Sequence, residues 1–216
     1  MSAIDSVVDK RKTVVKYDDN SIVAYDIDGT LSQNALDVSG KNIIEVKIGN
    51  AVTAIGPHCF DSYKQLVNVH IPNSVTTIDR YAFTECDNLT GLLIPESVTT
   101  IGDYAFYGCE SLTGEVIIPD SVTSIGEEVF VVTHCPKFVI GSGVTNIGRN
   151  VFLGNGGRIK EVTFRGKTIA EVQSMANYPW SINDTSIIKT YNVASKEWTL
   201  EQLSALEARI AALEGN

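Results

Sequence analysis

The chain contains no apolar run approaching the roughly 18 residues that a membrane-spanning helix needs, so insertion into a bilayer is not expected. Its first residues, Met1-Ser2-Ala3-Ile4-Asp5, lack the basic-then-apolar layout of a secretory leader, and a soluble chain is the expectation. Positive charge is scarce: 17 Lys and Arg stand against 26 Asp and Glu, a formal net charge of -9. No basic cluster offsets that balance, which argues against nucleic acid and anionic membrane surfaces as partners.

Cysteine is sparse as well. Cys59, Cys86, Cys109 and Cys135 lie 27, 23 and 26 residues apart with no Cys-x-x-Cys pair, a pattern foreign to zinc ribbons and thioredoxin-type redox sites. A Gly-rich phosphate loop and a Gly-x-Ser-x-Gly elbow are both missing, and the scattered Ser, His and Asp residues do not form a triad pattern.

What the chain does have is 44% hydrophobic residues in 216, enough for a sizeable core, and an internal repeat. Five segments superimpose: Ala51 to Phe60, Ser74 to Phe83, Ser97 to Phe106, Ser121 to Phe130 and Gly143 to Phe152. Their common form is Ser-Val-Thr-x-Ile-Gly-x-x-Ala-Phe, and the phenylalanines fall 23, 23, 24 and 22 residues apart. Ile71-Pro72, Ile94-Pro95 and Ile118-Pro119 introduce three of the segments, and Cys-x-x-Leu-Thr-Gly follows two of them, at Cys86 and Cys109.

A period of 20 to 29 residues with apolar residues at fixed offsets predicts a leucine-rich-repeat solenoid, in which one coil cannot bury its apolar side alone. Stacked coils about 4.8 Å apart then form ladders of like residues. Two are expected inside: Ile55, Ile78, Ile101, Ile125, Ile147, and Phe60, Phe83, Phe106, Phe130, Phe152. Gly56, Gly102, Gly126 and Gly148 are expected to supply a turn, with Asp79 replacing glycine because Asp tolerates positive φ. Thr53, Thr76, Thr99, Thr123 and Thr145 read as a solvated threonine ladder. In the fourth coil Cys135 comes late and the Leu-Thr-Gly is missing, which predicts a local bulge.

These segments resemble the BspA-type leucine-rich-repeat family, whose repeat reads roughly Ile-Pro-x-Ser-Val-Thr-x-Ile-Gly-x-x-Ala-Phe-x-x-Cys-x-x-Leu-Thr. The resemblance implies a right-handed solenoid of about five coils over residues 47–164, with no catalytic residue and no cofactor. It also implies binding or adhesion at a cell surface or in a secreted setting.

The flanks predict caps. Thr13 to Tyr17 and Ser21 to Tyr25 alternate around Asp18-Asp19-Asn20 as a β-hairpin, and Ile43 to Ile48 reads as a further strand, giving an N-terminal β cap over residues 1–46. A helix over Lys167 to Ala176 with Ile169, Val172 and Met175 inward, followed by a strand over Ser186 to Tyr191, gives a C-terminal α/β cap over residues 165–193. Residues 194–216 hold an amphipathic helix that begins with a Thr199-x-x-Gln202 capping box. It repeats Leu203, Leu206, Ile210 and Leu213 at coiled-coil spacing. So short a helix is marginal alone. Docking on its own solenoid, homo-oligomerisation, and continuation into a longer coil all remain open.

One motif suggests chemistry. Ser21 to Tyr25 followed by Asp26-Ile27-Asp28-Gly29-Thr30 resembles the haloacid-dehalogenase signature, whose first Asp is a nucleophile and second an acid/base beside magnesium. That family requires an α/β domain with a downstream Lys and a second acidic pair, whereas here repeats follow. The preferred reading is therefore a turn of the capping hairpin, with a phosphatase as a minor alternative. His58-Cys59 and His134-Cys135 lie three coils apart, too far to share a zinc ion, so the thiols are expected to be small buried hydrophobes.

Beside the inward Ile of each Ile-Pro strand, the outward column carries His70, Leu93, Ile117, Val139 and Thr163. A strip that is apolar in its middle, where Thr, Ser or charge is usual, marks either a contact site or, equally, a face covered by a cap, by the C-terminal helix or by a crystal neighbour. The expected function is a non-catalytic interaction or adhesion module for a protein or glycan partner. A structural subunit of a bacteriophage fibre or surface appendage, oligomerised by the terminal helix, is the alternative.

Overall fold

A computed structural model describes residues 9–36 and 40–191. The terminal segment, with Leu203, Leu206, Ile210 and Leu213, lies outside them. The elements in chain order are β1 (Thr13–Tyr17), β2 (Ile22–Tyr25), β3 (Gly29–Leu31), β4 (Ile43–Lys47), β5 (Val52–Ile55), β6 (Asn68–His70), β7 (Thr77–Ile78) and β8 (Thr100–Ile101). There follow β9 (Glu115–Ile118), β10 (Ser124–Ile125), β11 (Lys137–Ile140), β12 (Asn146–Ile147), β13 (Glu161–Arg165), α1 (Ile169–Ser174) and β14 (Ile188–Tyr191).

The Val-Thr-x-Ile strings form one parallel ladder in the order β12-β10-β8-β7-β5-β3, with Leu31, Ile55, Ile78, Ile101, Ile125 and Ile147 in register. All six are at most 1% exposed. The strands that precede the prolines form a second ladder in two pieces, β4-β6 and β9-β11-β13-β14, with Gly91 to Ile94 between them. The β1–β2 hairpin pairs antiparallel on β4, so the first edge of this ladder is hydrogen-bonded.

Between the ladders runs the phenylalanine row. Centroid separations are 5.0, 5.3, 5.7 and 6.5 Å from Phe60 through Phe83, Phe106 and Phe130 to Phe152, with planes within 14° of parallel. Where the row opens to 6.5 Å, Phe138 wedges in, 5.0 Å from Phe130 and 4.9 Å from Phe152. Trp180 closes the far end: its backbone carbonyl accepts from Phe152 N and its ring packs on Phe164 at 5.5 Å.

The solenoid has about seven turns, not five. The end coils lack the full motif but need only a pairing backbone and one inward apolar residue. Leu31 supplies that residue at the start, inside the segment expected to be wholly cap, and Ile188 supplies it at the end.

The recurrent glycines have a different cause from the one expected, because none of the four has positive φ. A Cβ at Gly102, Gly126 or Gly148 would sit 2.4 to 2.5 Å from backbone of the preceding coil. Close coil approach therefore requires glycine there. Positive φ falls two residues later, at His58, Tyr81, Tyr104, Glu128 and Asn150, with values from 54 to 59°.

In the fourth coil Thr133 takes the place that Cys86 and Cys109 hold in theirs, and Cys135 sits two residues further on, fully buried. This position forms a polar ladder under the Phe carbonyls: Cys86 Sγ donates to Phe60 O, Cys109 Sγ to Phe83 O, and Asn155 Nδ2 to both Phe130 O and Phe152 O.

At the C-terminal end α1 is shorter than expected. Thr168 caps it in a reciprocal box with Glu171. Val172 is buried and Met175 packs against the core, but Ile169, in the first turn, points out and is 44% exposed. A 3₁₀ turn over Thr185–Ile187 replaces the start of the expected last strand.

Candidate binding surface

Backbone register places the expected strip on one line: Lys47 beside His70, then Ile117, Val139, Thr163 and Lys189 on successive paired strands, with Leu93 in the unpaired gap. The line is graded rather than uniformly open. His70 and Leu93 are exposed and Ile117 is half-buried, whereas Val139 and Thr163 are 8% and 2% exposed although they point away from the core.

A chain of charge borders the closed end. Lys137 Nζ bridges Glu115 at 3.3 Å and Glu161 at 3.1 Å, and Lys189 Nζ meets Glu161 at 2.8 Å. The hydrogen bond from Lys189, with help from Lys137 and Thr163, pulls the Glu161 carboxyl down to about 2.

The Thr column is an ordered ladder as well as a solvated one. Thr76, Thr99, Thr123 and Thr145 each donate Oγ1 to the threonine carbonyl one coil earlier, at 3.2 to 3.3 Å. Ser74, Ser97 and Ser121 make the matching bonds to Val52, Val75 and Val98 carbonyls at 2.6 to 2.7 Å. These hydroxyls are engaged in holding coils together.

A third column went unnoticed in the sequence. His58, Tyr81 and Tyr104 stack face to face, with centroids 4.6 and 4.8 Å apart and planes within 9°. All three are half-buried and sit on the left-handed backbone that follows the tight glycine position. His58 Nδ1 lies 2.7 Å from Asp61 Oδ2, fixing the first ring, and Tyr107 stands at 5.9 Å from Tyr104. The Glu128 carboxylate one coil on pushes the Tyr104 phenol upward, with smaller effects from Glu127 and Asp103. The result is a row of aromatic edges and hydroxyls set among carboxylates. The signal lay in the aligned segments, always two residues before the Phe.

The other reactive groups are committed elsewhere. All four thiols are free and buried, and burial raises each of them, Cys135 to about 11 and the others further. Asp26 and Asp28 follow β2 rather than forming the hairpin turn. Each is 81% exposed, paired to Lys12 at 3.1 Å and Arg11 at 3.7 Å respectively, and Gly29 next to them leads straight into the parallel ladder. Among the described residues no three His, Cys, Asp or Glu side chains converge as metal ligands.

The repeat geometry agrees with the sequence profile of the BspA type leucine rich repeat region, which matches six copies over residues 30–157, more than half of the chain. The chain belongs to the BspA-type leucine-rich-repeat family. Its profile begins at residue 30, the level of β3, in keeping with the extra coil found there.

A leucine-rich repeat protein from Bacteroides ovatus is 29% identical with a TM-score of 0.57, over 70% of this chain and 40% of that one. This BspA-type chain thus spans less than half the length of that relative. The leucine rich repeat protein of T. pallidum shares the fold at 22% identity and a TM-score of 0.58, covering 74% of this chain and 86% of that one. The pneumococcal vaccine antigen PcpA does so at 21% and 0.54, over 72% and 38%. A search of the curated proteins finds no match.

Proposed function

We propose that this BspA-type solenoid is a non-catalytic recognition module that binds a protein partner along the His58–Tyr81–Tyr104 edge. The carrying observation is that three aromatic rings are held in parallel at 4.6 and 4.8 Å, half-exposed, on a backbone that the adjoining coils fix rigidly. Tyrosine gives large contact area with little rotamer entropy to lose and a hydroxyl for hydrogen bonding, which is why it dominates interface hot spots.

The carboxylates of Glu128 and Asp103, and of Glu127 shared with Arg149, bear on the Tyr104 end of this edge and, on a chain of net charge -9, favour a basic surface and steer its approach. A non-catalytic role is supported by the interior, which is filled by stacked side chains, and by the engagement of the perturbed carboxylates in ion pairs and caps.

The test uses the full chain against a panel of short lysine- and arginine-rich peptides, matched acidic peptides and neutral oligosaccharides. Tyr81→Asn/Tyr104→Asn serves as comparison, since Asn150 occupies the equivalent left-handed position in the family repeat. Basic peptides should be retained by the native chain and bound about tenfold or more weakly by the variant. Retention of oligosaccharides alone, no retention, or equal binding by both proteins contradicts the proposal.

A further inference from the structure

The ring row stops at Tyr104 because the next coil carries no aromatic residue in that column. His58, Tyr81, Tyr104, Glu128 and Asn150 share one left-handed backbone position, and the N–H of each of the first four bonds to the coil that follows. Tyr81 stacks on one face of the Tyr104 ring at 4.8 Å, and Tyr107 stands tilted beside it at 5.9 Å. Among the described residues no third ring meets Tyr104. Glutamate is shorter than tyrosine and has no ring, so Glu128 gives the second face of Tyr104 no stacking partner.

We propose, resting on the reading of this row as a partner-binding edge, that the place beyond Tyr104 receives an arginine of the partner, its guanidinium stacked on the ring and paired with the Glu128 carboxylate. Glu128 is the carboxylate of this end that holds no cation. Half-buried, it has no ion pair among the described residues, and its one described bond is a 3.4 Å contact from Asn150 Nδ2. Its neighbours are occupied: Glu127 holds Arg149 at 3.2 Å, and Asp103 Oδ1 accepts from Glu127 N at 2.8 Å. At the opposite end of the row Asp61 is taken up by His58 Nδ1 at 2.7 Å and by the Ser62 hydroxyl. Charge complementarity therefore falls at the Tyr104 end.

The shape of the place selects arginine over lysine. A planar guanidinium continues a stack of parallel planes, within the roughly 6 Å of a ring centroid at which a cation is attracted to the aromatic face. It also offers paired N–H groups to one carboxylate, whereas an ammonium is a compact and strongly hydrated point charge. The exposed Arg80 precedes Tyr81 in the chain and already supplies a cation to the middle of the row, which leaves the Tyr104 end as the place for a further one. The Glu128 carboxylate is also the first cause of the upward shift of the Tyr104 phenol, in keeping with a negative charge set close to this ring.

The experiment measures binding of the full chain to a short labelled arginine-glycine peptide and to its lysine-for-arginine counterpart of equal length and charge. Glu128→Gln and Tyr104→Asn are compared with Glu96→Gln, which takes the same charge from an exposed carboxylate on a different turn. The fold of each variant is checked by the silence of its four buried thiols toward iodoacetamide. The native chain and Glu96→Gln should bind the arginine peptide about fivefold or more tightly than the lysine peptide. Glu128→Gln and Tyr104→Asn should each lose that preference. Equal binding of the two peptides by the native chain, abolished by Tyr81→Asn/Tyr104→Asn, would overturn the arginine seat and leave the partner-binding edge standing. A preference that survives Glu128→Gln in a folded protein would also overturn the seat. Failure of the native chain to bind either peptide, or equal binding by the double variant, would remove the edge and the seat together.

Discussion

Gly102 shows how little space separates adjacent coils. A methyl group there would meet Arg80 N at 2.4 Å, whereas one at Gly114 meets nothing within 4 Å. Gly102→Ala should therefore cost about 2 kcal/mol in urea unfolding through overpacking, and Gly114→Ala should change stability by about 0.5 kcal/mol or less. Equal effects would mean the coils can separate locally. Asn155 is the second informative residue. It is 4% exposed and bonds two Phe carbonyls, so Asn155→Leu should take this donor from Phe152 O, leave Phe130 O with Thr133 Oγ1 alone, and cost about 2 kcal/mol in the same measurement. The sequence revealed the rows of Ile and Phe because each recurs as the same letter. It hid the carbonyl-binding ladder because Cys86, Cys109, Thr133 and Asn155 do one job with three residue types.

At the scale of elements, short strands of two to five residues are held chiefly by their neighbours, with bonds passing from each coil to the next. The second ladder adds the Glu115–Lys137–Glu161–Lys189 chain across β9, β11, β13 and β14. Glu161 titrates at about 2 in the folded chain, below the ordinary 4.5. Its contribution is therefore complete above about pH 4.5 and is lost as pH falls through about 2. Thermal unfolding between pH 6 and pH 2 should show a loss traceable to this group, on the order of 1 kcal/mol after solvent screening, that Glu161→Gln removes. An unchanged pH dependence in the variant would assign the acid sensitivity elsewhere. The hairpin of β1 and β2 was legible from alternation and the Asp-Asp-Asn turn. The coils at each end were not, because β3 and β14 keep pairing geometry without the motif, and backbone pairing leaves no letter in the sequence.

The whole molecule is a stack in which each coil contacts its neighbours, so its stability is a sum over coil interfaces and its surface is a set of parallel columns. The repeat stated the core strictly and the surface loosely. The outward strip was legible as a column, but the burial of Val139 and Thr163 within it was not, because periodicity does not register exposure. The aromatic edge was present in the alignment, yet its meaning appeared only when stacking and left-handed backbone placed three rings in parallel. An interior built this way should also keep its thiols from iodoacetamide at pH 8 until denaturant is added, when all four react.

The stacked-coil interior depends most on the continuous phenylalanine row, and urea unfolding of Phe106→Ala beside Leu153→Ala tests that row most directly. Phe106 lies mid-row and is fully buried, while Leu153 is adjacent to the row in sequence but 43% exposed. The expected losses are about 3 to 5 kcal/mol for Phe106→Ala and about 0.5 kcal/mol or less for Leu153→Ala. Comparable small losses for both would contradict the stacked-coil interior.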